Sequence, residues 1–174
     1  MIPRYSHPEM TLIWEPKTRF QIWLDIERYA CEAQEELGVI PRGIAEALAK
    51  RGKFELERIE ELEHELKHDV IAFLTNLSEH VGTEAKFIHQ GLTSSDVLDT
   101  AFGVQLTRAS DVLMGQLDNL CTVLERRSHE FRDTLCVGRS HGIHAETTTF
   151  GLKLAYAYAE LNRARSRLRF AREE

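Results

Sequence analysis

The chain has 174 residues, 43% of them hydrophobic and 29% charged, with a formal net charge of −6. This balance excludes a disordered polar chain and offers no basic surface for nucleic acid or an anionic membrane. No apolar run reaches membrane-spanning length, and Cys31, Cys121 and Cys136 stand far apart without CxxC spacing, which fits a reduced, cytoplasmic protein.

The opening MIPRYSHPEM is no signal peptide, because Arg4, His7 and Glu9 interrupt any apolar core. After this Pro-bearing arm, residues 16–38 read as a helix with Pro16 in its first turn and Gly38 as its stop. Phe20, Trp23, Leu24, Tyr29, Ala30 and Leu37 supply its apolar side. A turn at Pro41 leads to a short helix, IAEALAKR, closed by Gly52. Residues 55–80 read as one helix, with a stripe of Ile59, Leu62, Leu66, Val70, Phe73 and Leu77. A loop over 83–92 follows. Residues 93–131 read as a single very long helix with Gly103 or Gly115 as a bend point and a buried side at Leu113, Leu117, Leu120 and Leu124. A loop holding CVGRSHGIHAE precedes a last helix that starts near Thr148 and is still in register at Glu174. No segment carries a strand signal. Helices this long need neighbours to bury their stripes. The expected fold is therefore an all-α long-helix bundle, the N-terminal piece of a longer protein. A helical domain is expected over 1–93 and the beginning of a central bundle over 94–174.

Within the helix expected at 55–80 sits His64-Glu65-Leu66-Lys67-His68. On a helix, H-E-x-x-H is the zinc-protease pattern, with two histidines one turn apart on the metal. No third ligand with suitable spacing follows, and both histidines fall opposite the apolar stripe, so no metal site is expected. The overlapping trio Lys67-His68-Asp69 offers a cation, a titratable donor and a carboxylate in one turn, suited either to an anionic ligand or to a plain solvated face. HQGLTSSD at 89–96 places Thr93, Ser94 and Ser95 at the start of the long helix. They read equally as an N-cap and as an anion site. GRSHGIHAET at 138–147 brackets Arg139, Ser140 and His141 with glycines. His141 is a candidate general acid or base, since imidazole exchanges its proton near neutral pH; the alternative is a polar turn with a hydrogen-bonded histidine. These histidines and hydroxyls, with Lys67 and a helix start, suit a multiply anionic substrate and a proton transfer. They do not suit a hydrolytic Ser or Cys triad or a phosphate-binding Gly loop.

RYS (4–6), KHDVIAF (67–73), HQGLTSSDVLDT (89–100) and GRSHGIHAETTTFG (138–151) together resemble the adenylosuccinate lyase family, the purine-pathway branch of the fumarase/aspartase/argininosuccinate lyase superfamily. The resemblance runs over essentially the whole chain in order and spacing. It implies an all-helical subunit of a homotetramer, with active sites built from three subunits and neither metal nor organic cofactor. The implied reaction is β-elimination of fumarate from adenylosuccinate, giving AMP, and from the succinylcarboxamide ribotide (SAICAR), giving AICAR. Carried over residue by residue, Arg4 and Tyr5 would hold the nucleotide end; Lys67, His68 and Asp69 would line the substrate site. His89 would add a donor towards the phosphate, and Thr93 and Ser94 would grip the succinyl carboxylates. His141 would be the acid that protonates the departing nitrogen, with His68 its catalytic companion. The family usually carries Thr at position 140 and Pro at 147, where this chain has Ser140 and Thr147; neither change removes chemistry. The family's Ser-rich loop, which holds the catalytic base, has no counterpart up to residue 174, so these residues alone are expected to be inactive. A sister lyase such as argininosuccinate lyase and a non-catalytic helical interaction module are the alternatives.

Overall fold

A computed structural model describes residues 2–174. A 3-10 turn at Pro3–Tyr5 leads into helix α1 (Pro8–Trp14), so the arm expected to be irregular is partly helical. Helices α2 (Pro16–Glu36), α3 (Ile44–Arg51), α4 (Leu56–Leu66) and α5 (Asp69–Val81) follow, then a second 3-10 segment (Gly82–Phe87) and α6 (Ser94–Glu130). A two-stranded antiparallel hairpin, β1 (Leu135–Ser140) and β2 (Ile143–Thr149), separates α6 from α7 (Phe150–Glu173). The chain is thus predominantly helical, as its periodicity predicts. No helix among the described residues is long and apolar enough to cross a membrane.

The chain divides into two compact units, one ending at Leu106 and one from Thr107 to Glu174, with α6 running unbroken through the division. In the first unit the core is aromatic. Phe73 stacks on Phe20 with centroids 5.6 Å apart and meets Trp23 edge-on at 5.4 Å. Phe54 closes the cluster. Around it lie Leu24, Leu48, Ile59, Leu62, Val70 and Leu77, all buried. Tyr29, Leu37 and Leu66, expected on apolar stripes, are exposed instead. Burial on α2 passes through Trp23, Glu27 and Cys31, one turn apart, and so turns away from Tyr29.

The helix expected over 55–80 is broken. Lys67 takes a left-handed backbone (φ 56) and caps α4 through its N–H on the Glu63 carbonyl. His68 then caps α5. The two helices pack against one another across this turn, tied by Asn76, whose amide oxygen accepts the Glu55 N–H at 2.9 Å, and by Arg58 on Glu79 at 2.9 Å. Leu66 is displaced from the stripe by the same break.

In the second unit α7 is fastened to α6 by Arg165 on Asp118 (2.9 Å), Arg172 on Asp111 (2.6 Å) and the Phe131–Phe150 ring pair (5.3 Å). Leu113 and Leu120, expected on a buried side, are exposed, as are Leu152 and Tyr156 of α7. The buried residues on this half of α6 are Ala109 and Cys121. Gly151 marks the tightest backbone approach: its N–H donates to the Phe131 carbonyl at 2.9 Å, and a Cβ there would lie 2.6 Å from Arg132 Cα and against the Ser128 carbonyl. Gly151→Ala is expected to destabilise this unit by about 1–3 kcal/mol, because backbone cannot yield as a side chain would. A urea midpoint equal to that of the unsubstituted chain would contradict this.

Candidate functional site

The expected substrate residues of the first unit gather at two helix starts. His68 is the N-cap of α5: its Nδ1 accepts the Ile71 N–H at 3.4 Å. Its Nε2 faces Ser94 Oγ, at the first residue of α6, at 3.5 Å. Asp69 Oδ1 also lies 3.5 Å from His68 Nδ1, but an ion pair there needs a proton on the nitrogen that the Ile71 N–H requires bare. The capping geometry is the more consistent, because it gives the first-turn Ile71 N–H an acceptor at the start of α5. His68 then carries its proton on Nε2 and donates towards Ser94.

At the start of α6 the hydroxyls divide their duties. Thr93 is bound to Asp96, whose Oδ2 accepts both the Thr93 N–H (2.7 Å) and its hydroxyl (3.1 Å), the returning half of a capping box. Ser94 is left facing His68. First-turn N–H groups of an α-helix have no intrahelical carbonyl to bond, and the helix dipole adds partial positive charge. The junction of α5 and α6 is therefore a polar corner rich in N–H donors, beside the exposed Lys67 and with the Asp69 and Asp96 carboxylates close by.

The break at Lys67 also disposes of the metal pattern in HELKH. His64 lies exposed in the last turn of α4 and His68 begins α5, so the one-turn spacing on a single helix that the pattern presupposes is absent.

His89 is held differently. Its backbone is left-handed (φ 63), its N–H donates to Glu27 Oε2 at 2.9 Å, and its Nδ1 lies 2.6 Å from Glu27 Oε1. Glu27, on α2, is fully buried. Burial raises its carboxyl above the ordinary glutamate range, and the hydrogen bonds from His89 work against that rise. Beside it, burial together with the Glu27 and Glu35 charges pushes the Cys31 thiol up to about 11, so the sulfur stays protonated and adds no charge. Sequence reasoning missed Glu27. Its signal was a carboxylate on the buried line of α2, between Trp23 and Cys31.

Arg4 and Tyr5 lie together in the first 3-10 turn, with the guanidinium 4.8 Å from the exposed Tyr5 ring. His141 belongs to the second unit. The segment expected to be a loop is the β1–β2 hairpin, and His141 and Gly142 form its two-residue turn, both left-handed (φ 53 and 75). That is the type I′ turn preferred in tight hairpins. His141 stands exposed at the tip, with Arg139 and Ser140 on the strand before it.

Comparison with known proteins gives the family. A family model described as Lyase matches residues 4–174. The chain belongs to this lyase family. Among curated relatives, the lyase chain is 50% identical over 168 residues to adenylosuccinate lyase of Synechocystis sp. (97% of the chain, 39% of the relative). It is 45% identical over 172 residues to adenylosuccinate lyase of Bacillus subtilis (99% and 40%). The chain thus spans about two-fifths of the length of these relatives. Among solved structures it superposes on fumarate lyase from Mesorhizobium sp. BNC1 with a TM-score of 0.88 at 26% identity, covering 94% of the chain and 40% of that structure. The 3-carboxy-cis,cis-muconate lactonizing enzyme from Pseudomonas putida gives 0.89 at 27%, covering 97% and 40%.

Proposed function

We propose that this chain is part of an adenylosuccinate lyase, which eliminates fumarate from adenylosuccinate to give AMP and from SAICAR to give AICAR in purine biosynthesis. The observation that carries the reading is the approach of His68 to Ser94 where two helices begin, in a chain whose curated relatives are adenylosuccinate lyases. Removing a proton from the carbon beside a carboxylate builds negative charge on that carboxylate. Donors fixed beforehand at a helix start stabilise that charge more than they stabilise the ground state. In this reading Thr93, Ser94 and His68 hold the succinyl group, and Lys67 adds positive charge. Asp69 lines the same wall. Arg4 and Tyr5 take the nucleotide end, with His89 directed to the phosphate. His141 protonates the departing nitrogen, which leaves poorly as an anion. No metal or organic cofactor takes part. The base comes from a Ser-rich loop outside residues 1–174, and the enzyme is a cytoplasmic homotetramer in which several subunits complete each site.

Two assays test this. The full-length lyase carrying this chain releases fumarate from adenylosuccinate, and argininosuccinate does not compete. Residues 1–174 alone give no turnover above the uncatalysed rate, since the base is missing. Turnover by the 174-residue chain would refute the assignment of roles.

A further inference from the structure

Glu27 is a fully buried carboxylate that none of the chemistry above employs. Both of its oxygens are committed to one residue, His89, through the backbone N–H and the ring. His89 in turn holds a left-handed backbone, uncommon for any residue but glycine, next to a further left-handed residue at Gly91 (φ 72). Such a conformation costs free energy and persists only where its surroundings fix it. Cys31 stays protonated, and Glu35 accepts the Ala45 N–H at 2.7 Å through Oε1.

We propose that Glu27 is a positioning residue for substrate binding: it locks the backbone N–H and ring Nδ1 of His89 in place, so that Nε2 is held out for an anionic group of the substrate. The inference rests on the lyase reading and deepens it at the phosphate end. One oxygen of Glu27 accepts the His89 backbone N–H and the other holds ring Nδ1 at 2.6 Å. With Nδ1 engaged there, Nε2 is the nitrogen left for the ligand. A group that binds ground state and transition state alike alters KM and not kcat.

Glu27→Gln replaces one acceptor oxygen by an NH₂ donor. The amide cannot hold the His89 backbone N–H and ring Nδ1 as the two carboxylate oxygens do, and the ring loses its fixed orientation. In the full-length lyase the expected result is a KM for adenylosuccinate raised about tenfold, the loss of one charge-assisted hydrogen bond, with kcat within about twofold and the melting transition retained. In a His89→Ala background the same substitution should move KM no further. An unmoved KM in a folded Glu27→Gln protein, or an equal further rise in the His89→Ala background, overturns the proposal. If Glu27→Gln fails to fold, the ring ¹⁵N signals of His89 in the unsubstituted protein decide, assigned by their loss in His89→Ala. A protonated Nε2, able to donate to an anion, supports the proposal and a bare Nε2 overturns it. Failure of the lyase reading itself shows separately, as absent turnover in the unsubstituted enzyme.

Discussion

His141→Asn in the full-length lyase is expected to lower kcat by about 10²–10⁴-fold, the usual contribution of a positioned general acid, without lowering the melting temperature. The hairpin makes this separation possible. His141 is the first of two left-handed residues in a tight turn, is exposed, and is followed by Gly142. Asn tolerates left-handed backbone better than most residues, and Asn-Gly is the pair that this turn type prefers. The substitution therefore removes the imidazole of the proposed acid and leaves the hairpin intact or firmer. Ala would mix lost chemistry with a strained turn. Fumarate release followed by absorbance, beside a thermal melt, gives both numbers. An unchanged kcat would exclude His141 as the acid and favour a histidine that merely decorates the turn. A fall in kcat with an equal fall in kcat/KM would place its interaction in the transition state.

The helices were legible because their cores repeat at helical spacing: Phe20, Trp23 and Leu24 on α2, and Val70, Phe73 and Leu77 on α5, all lie buried. The hairpin was hidden because its strands are largely exposed and alternate no apolar face. The His-Gly pair between them was the available sign. The division of α4 from α5 was hidden for another reason. A left-handed stop is ordinarily written as Gly or Asn, and here Lys67 takes it, with a histidine in place of the usual hydroxyl or carboxylate cap on the next helix. The exposure of Leu113 and Leu120 on α6 could not be read from periodicity, which locates an apolar stripe without saying what covers it. HQGLTSSD gave the opposite result. The motif left a cap and a ligand site equally open, and the structure assigns the cap to Thr93 with Asp96 and turns Ser94 towards His68.

The second large effect concerns stability. Phe73→Ala in the 174-residue chain is expected to cost about 3–5 kcal/mol, seen as a lower urea midpoint with little change in slope. Phe73 is fully buried and touches three other rings: Phe20 nearly parallel at 9°, Trp23 at 86°, and Phe54 with centroids 6.3 Å apart. These rings come from α2, α5 and the segment between α3 and α4, so truncation opens a cavity that no single side chain can fill. Phe73→Leu keeps much of the volume and should cost clearly less. Tryptophan fluorescence is a suitable probe, since the chain's 2 tryptophans, Trp14 and Trp23, both lie in the first unit. The cluster also fixes the two helices that carry the proposed substrate-site groups. His68 caps α5 a little more than one turn before Phe73, and Glu27 follows Trp23 by about one turn on α2. A loss below about 1 kcal/mol, well short of the cost of burying and then removing an aromatic ring, would mean that the helices close over the gap. The aromatic cluster would then not be what sets the positions of α2 and α5.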